Sequence, residues 1–342
     1  MRRPTIPDLA GAAGVSVATV NRVISGAGSV RQSTRERVLR AAQDIGFYGL
    51  GSIEHAVRET QQRHRLGILL QQGNRTFYRG LGEALREAAG RSVAGRVDLA
   101  LEFLDDLSPD KIAAQIERMG ESCEAIGLVA AEHPIVSEAI DAVLANGVVV
   151  IALIAPLSAR GNVGFVGLDN WKVGRTAAWA FHRISPKPGE IGILVGNHRY
   201  RNQELNESGF RSYLREHDRG FTLLEPRATY ESAAVAREMT EGLLREHPDL
   251  CGLFVSGGGI TGAIAALRDS PRREGFVSVG YELFDATRTA LVDGTLTMVI
   301  SHPLERFAER TIATLVRAKK AGVEAGAQTD TLAFDLHTSE NV

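Results

Sequence analysis

Asn21 and Arg22 stand side by side in the stretch Thr5 to Ser25, TIPDLAGAAGVSVATVNRVIS, whose periodicity puts them on one helical face with the short side chains of Val17 and Ala18. An amide suits adenine and a guanidinium suits guanine or a phosphate, so this face has the chemistry of a major-groove reader. A second set of polar residues follows apolar runs further along the chain. Asn74, Arg75, Phe77 and Tyr78 come after one run, Asp169 and Asn170 after another, and His198, Arg199, Arg201, Glu282 and His302 occupy similar places. An asparagine beside an aromatic plate offers partners to hydroxyls and a surface to the C–H face of a ring, which fits a polyhydroxylated small molecule. Competing readings stand beside these. Phe77 can pack on its own helix, Asp169 can cap the helix near Trp171, Glu282 can cap one near Leu283, and the Ser256-Gly257-Gly258-Gly259 run can serve close packing as well as an anion.

Two helices must position Asn21 and Arg22. Thr5 and Asp8 make a capping pattern with Pro7 in the first turn, Leu9, Ala10 and Ala13 form a small apolar face, and Gly14 supplies the turn. Ser16 then caps a second helix whose Val20, Val23 and Ile24 face inward. A third amphipathic helix is predicted from Val38, Leu39, Ala42 and Ile45, with Ser33 and Glu36 as its capping box. Residues 1–49 carry seven arginines against Asp8, Glu36 and Asp44, a net +4, so the rest of a chain of net −2 holds −6. A basic head on an acidic body is the split expected when the head alone meets phosphate.

The run T-I-x-D-L-A-x-x-A-G-V-S-x-A-T-V-x-R-V-I-S-G, with T-R-E-R-V and G-F after it, resembles the headpiece of the LacI/GalR family of transcriptional repressors. The resemblance implies DNA contacts from Thr5, Ser16, Val17, Ala18, Thr19, Asn21 and Arg22, with Thr34 near a phosphate. Asn21, Ser25 and Arg31 depart from the family's usual serine, asparagine and small polar residue, departures that concern which operator is read. Residues 50–65 form a polar linker after Gly49, either a flexible tether or the hinge helix that the resemblance implies, with Ile53 or Val57 as its minor-groove wedge. Asn206 stands where the family's R-x-x-G-F pattern has a ligand-touching arginine, which moves that role toward Arg201.

From residue 66 apolar runs alternate with amphipathic stretches, the signature of doubly wound parallel sheets. The regulatory body of the family resembles a two-lobed periplasmic binding protein. The expected organisation is therefore a small all-α three-helix DNA-binding domain (1–49), the linker, and an α/β body (66–342). In that body lobe one takes about 66–160 and 290–320, and lobe two about 161–289 and 321–342. A length of 342 residues, 44% hydrophobic and 23% charged, suits a small head with a two-lobed soluble body. Cys123 and Cys251 open apolar runs and have no metal-ligand spacing, so reduced thiols are expected.

No G-x-G-x-x-G follows the first strand, and the chain has neither a P-loop lysine pattern nor a G-x-S-x-G elbow, so an enzyme is not expected and no cofactor is called for. Arg2-Arg3 lacks the apolar stretch of a signal peptide and no run approaches a membrane span, which places the expected protein in the cytoplasm. The expectation is a repressor, homodimeric because two heads read a palindrome, that binds double-stranded operator DNA and a sugar, polyol or sugar acid between its lobes. The effector residues expected are Asn74, Phe77, Tyr78, Asp169, Arg199, Arg201, Asn206, Glu282 and His302. An architectural DNA binder whose body only dimerises is the alternative.

Overall fold

The computed structural model describes residues 3–26, 30–59, 62–217, 220–271 and 274–342, without the side chains of Gln32, His55, Val57, Arg58 and Glu59. The chain makes two compact units, Met1–His64 with Ala89–Asp98, and Arg65–Ala88 with Leu99–Val342.

In the head, α1 (Ile6–Ala13) starts where the Thr5 amide and hydroxyl both reach Asp8 Oδ2, at 2.8 and 2.6 Å, and ends at Gly14 in the left-handed region (φ +62°). That glycine turns the chain into α2 (Val17–Ser25), capped by Ser16, whose hydroxyl accepts from the Thr19 amide at 3.2 Å. Helix α3 (Gln32–Asp44) begins two residues earlier than a Ser33 cap would set, with Arg31 at the N-cap, so the Ser33/Glu36 capping box does not form. The linker is helical as well. Helix α4 (Leu50–Glu59) packs on α2 and α3 and completes the head's core. Leu9, Val20, Val23, Val38 and Ile53 are all fully buried in that one cluster, with Leu50 packed against it. The expected three-helix head is thus a four-helix head, because Leu50, Ile53 and Ala56 put an apolar face toward the core.

The body alternates strand and helix: β1 (Arg63–Gln71), α5 (Thr76–Gly90), β2 (Arg96–Leu104), α6 (Pro109–Gly120), β3 (Ala125–Leu128), α7 (Pro134–Ala145), β4 (Val149–Leu153) and β5 (Gly164–Leu168). Then come α8 (Asn170–Ile184), β6 (Glu190–Val195), α9 (Arg201–Glu216), β7 (Thr222–Leu223), β8 (Arg227–Ala228), α10 (Ala233–Glu246), β9 (Leu250–Val255), α11 (Ile260–Asp269), β10 (Val277–Tyr281) and α12 (Asp285–Val292). The last elements are β11 (Met298–Ser301), α13 (Leu304–Ala321), β12 (Thr329–Leu332) and β13 (Asp335–His337). The first sheet has the order β12-β5-β4-β3-β1-β2 and the second β13-β11-β10-β9-β6-β7, with β8 also pairing β6. In each sheet the order reverses beside its first strand, at β1/β3 and at β6/β9, and ligands collect at such switch points beyond the carboxyl ends of the strands.

The expected lobe boundaries are corrected by this pairing. Strand β5, assigned to lobe two, joins the first sheet beside β4, and β11, assigned to lobe one, joins the second beside β10. The last two strands divide between the sheets, β12 parallel to β5 and β13 antiparallel to β11. The chain therefore crosses between lobes three times, after β5, after β11 and after β12. Separate apolar cores stabilise the two lobes, one around β3, β4, α6 and α7 and one around β9, α10, α11 and α12.

Candidate functional site

Helix α2 presents one face outward. Val20 and Val23 are fully buried, whereas Ser16, Val17, Ala18, Asn21 and Arg22 are exposed, with 42% of Val17 open to solvent. An apolar side chain left bare beside an amide and a guanidinium is an arrangement that a thymine methyl and neighbouring base edges would cover. Thr19 is half-buried and its hydroxyl lies 2.9 Å from Ser16 Oγ, so it holds the helix start. Thr5 is tied to Asp8 in the same way, and Thr34 is half-buried in the first turn of α3. One expectation is corrected here. Ile53 sits in the head's core at 0% exposure and has no free surface to wedge between base pairs. Arg35, one of the seven arginines of the head, is 4% exposed and donates from Nε to the Val30 carbonyl at 3.1 Å. The Val57 side chain, the other expected wedge, lies outside the described residues.

Between the lobes of the body lies a cavity of about 380 Å³, a size typical of small-molecule sites. Lobe one supplies Gln71, Asn74, Arg75, Phe77 and Tyr78 from the end of β1 and the start of α5. Lobe two supplies Tyr200, Gln203, Glu231, Ser256 to Gly259, Tyr281 and Glu282. Polar bonds cross from lobe to lobe. Arg75 Nη1 meets Glu231 Oε2 at 2.6 Å and Nη2 donates to the Glu231 carbonyl at 2.6 Å. The Gln71 amide donates to Tyr200 Oη at 2.7 Å, and Tyr78 Oη donates to Gln71 Oε1 at 3.2 Å. Burial pushes the Tyr200 phenol up to about 12 and raises Tyr78 and Tyr281 well above the ordinary tyrosine value, with the charges of Glu231 and Glu282 adding to it. All three phenols therefore stay protonated and serve as hydroxyl donors and acceptors.

Backbone strain gathers at the same place. The non-glycine residues with positive φ are Gln72, Ile154, Tyr230, Glu231 and Glu282 among the described residues, and each follows the carboxyl end of a strand. Ile154, Glu231 and Glu282 line the cavity itself.

Of the expected effector residues, Asn74, Phe77, Tyr78 and Glu282 line the cavity. Glu282 does not cap a helix: its carboxylate accepts from the His302 amide at 3.1 Å and faces His302 Nδ1 at 2.6 Å, while Thr287 takes the capping role at α12. His302, 4% exposed, stands behind Glu282 with its ring 6.0 Å from that of Phe77, so it supports the wall and does not form it. The remaining expectations are corrected by what these side chains touch. Asp169 caps α8 through the Lys172 amide at 3.2 Å and pairs with Lys172 Nζ at 3.0 Å. Asn206 is fully buried against Ser256 Oγ at 3.0 Å. Arg199 donates to the Glu132 carbonyl, and Arg201 to Ser158 Oγ at 3.0 Å, so both join the lobes outside the cavity. Gln71, Tyr200, Gln203 and Glu231 were missed, since nothing local marks them. Arg75 was noticed only as part of its loop.

The comparisons agree with this division. Residues 5–49 match the family model described as bacterial regulatory proteins, lacI family, and residues 66–322 match a periplasmic binding protein domain. The ribose operon repressor of Bacillus subtilis is 32% identical over 33% of this chain and 36% of its own length. The maltose regulon regulatory protein MalI of Escherichia coli is 38% identical over 27% of each chain. The chain thus aligns with about a third of the curated relatives it matches. Among solved structures, GanP, a glucose-galactose binding protein from Geobacillus stearothermophilus, superposes with a TM-score of 0.72 at 16% identity, covering 82% of this chain and 99% of that one, which establishes the body's fold.

Proposed function

Because the chain belongs to the LacI family of bacterial regulatory proteins, with a periplasmic-binding-protein body behind the head, we propose that it is a cytoplasmic transcriptional repressor whose operator affinity is set by a carbohydrate-like effector. The observation that carries this reading is the pairing of two kinds of surface in one chain. One is an exposed α2 face of Val17, Ala18, Asn21 and Arg22; the other is a cavity of about 380 Å³ walled by amides, phenols and carboxylates. Asn21 and Arg22 read base edges, Ser16 and Thr19 fix the helix that carries them, and Thr5 and Thr34 lie where phosphates pass. Two heads on a homodimer match a palindromic site. In the cavity the Tyr78, Tyr200 and Tyr281 hydroxyls, Asn74 and Glu282 exchange hydrogen bonds with ligand hydroxyls, and Phe77 covers the ring. Binding to one state of the lobes then shifts the population that holds DNA.

The test is fluorescence anisotropy of the full chain on duplexes from the region upstream of its own gene, against a random duplex, at several salt concentrations. A sequence-dependent complex that weakens steeply with salt is expected. Equal affinity for the random duplex would remove the repressor reading. Specific binding that no carbohydrate alters, with no carbohydrate raising the melting temperature, would favour the architectural alternative.

A further inference from the structure

Glu231 is gripped more completely than a simple hydroxyl acceptor needs to be. Its Oε2 lies 2.6 Å from Arg75 Nη1, and its Oε1 accepts from the Gln203 amide at 3.1 Å. The carboxylate also packs on the glycine loop ahead of α11, where a Cβ at Gly258 would overlap Oε2 and one at Gly196 would overlap Oε1. Helix α11 opens at Gly259 (φ +93°) with no side chain bonded to its first amides, so the carboxylate lies beside the positive end of a ten-residue helix. A guanidinium and a primary amide converging on two oxygens, beside a glycine loop and a helix start, make an anion site, and the protein fills it with its own side chain.

The way Glu231 reaches that site is also unusual. Tyr230 and Glu231 both have positive φ, 50° and 62°, which bulky L-residues adopt only under constraint. Tyr230 is 72% exposed, so packing of its ring does not impose the turn. The turn is closed by the Ser232 amide on the Thr229 carbonyl at 2.9 Å, and Arg75 adds two bonds from the other lobe, one to the carboxylate and one to the Glu231 carbonyl.

We propose that Glu231 is an internal stand-in for the acidic group of the effector, and that the effector is an anionic sugar derivative. Its carboxylate or phosphate displaces the Glu231 carboxylate from Arg75, and its hydroxyls meet Gln71, Tyr78, Tyr200 and Tyr281. A neutral sugar gives Arg75 no charge in exchange for Glu231, so parting the pair for it leaves a partly buried ion without a counterion, whereas an anion restores the pairing. Release of the Glu231 carboxylate removes one of the bonds between lobes, which links the ligand's charge to lobe geometry. This inference rests on the cleft being the effector site.

The full-length protein is melted with D-galactose, D-galacturonate, D-gluconate and glucose 6-phosphate, and those that bind are titrated by calorimetry into wild type, Glu231→Gln and Arg75→Gln. An anionic compound raises the melting temperature and galactose does not; the sugar acids and the sugar phosphate tell carboxylate from phosphate. Glu231→Gln binds that anion at least tenfold tighter, since the competing charge is gone, and Arg75→Gln loses it. Glu231→Ser, which removes the carboxylate altogether, gives the same reading should the glutamine variant fold poorly. If galactose binds wild type and Glu231→Gln weakens it tenfold, Glu231 is a direct hydroxyl acceptor; the inference then falls and the cleft assignment stands. If none of the four compounds binds the folded wild type or the folded variants, the cleft assignment falls as well.

Discussion

The α2 face and the cleft are both polar, yet they are finished in opposite ways. Asn21 and Arg22 point into solvent from a helix whose other side is locked by Val20 and Val23. In the cleft, Arg75, Gln71, Tyr78, Tyr200 and Glu231 have already bonded to one another across the lobes. A ligand for the first face replaces water, while a ligand for the second must replace protein. The first therefore depends on the ionic strength of its surroundings, and the second on the stability of bonds that the protein makes to itself.

The largest effect is expected where the head's solidity is at stake. Ile53→Ala should destabilise the head by about 2 to 5 kcal/mol, the cost of a large-to-small change in a packed core. A urea titration of the full chain followed by an α2 probe would show it, with DNA affinity lost in parallel. A variant as stable as wild type that binds DNA without bending it would restore Ile53 as a wedge. Arg22→Ala comes next, with operator affinity weakened by roughly 1 to 3 kcal/mol and discrimination relaxed at one base position. A uniform loss on all sequences would make Arg22 a phosphate contact.

In the cleft the expected changes are smaller. The buried Tyr200 phenol titrates near 12 in the folded protein against 10.0 ordinarily, so the unfolded chain releases a proton that the native state keeps. Its stabilising contribution is complete below pH 10 and is lost as pH rises toward 12. Melting temperatures measured from pH 9 to 11 should fall, and less steeply in Tyr200→Phe; an unchanged slope would mean that the phenol is not buried in solution. Arg201→Ala should cost least. Arg201 is 46% exposed and 3.6 Å from Glu132 Oε1, so the loss should stay within about 1 kcal/mol and effector affinity should hardly move. A tenfold drop in effector affinity would return Arg201 to the site.

What the chain's order of residues reveals follows the same division. Thr5 with Asp8, Gly14, and Ser16 with Thr19 are rules of short range, and the head could be read from them. The alternation of strands and helices was equally legible, because each apolar run buries itself wherever it lands. Which sheet it lands in is another matter: β5 and β11 are sound strands by local pattern, but their neighbours are decided by the crossings. Arg75 and Glu231 are 156 positions apart, and no spacing announces such a pair. Asp169 shows the reverse case, a polar residue after a strand whose partner is only three positions away, so of its two readings the local one, a helix cap, is the one the fold uses. Ile53 was read as a wedge and not as a core residue, in a segment read for its polarity, although Leu50, Ile53 and Ala56 stand at helical spacing.

The three crossings between lobes also set a schedule for the ribosome. The first sheet waits for β12 at Thr329–Leu332 and the second for β13 at Asp335–His337, so the edge strands of both lobes emerge within a few residues of each other, near the end of synthesis. Strands β3, β4 and β5 are made long before α13, the helix that covers them. The head can fold early, from a contiguous stretch, whereas the nascent body must hold β1 to β5 with an apolar face bare until α13, well over a hundred residues later, has been made. A premature stop between β5 and α13 would therefore leave a folded DNA-binding head tethered to an aggregation-prone remnant.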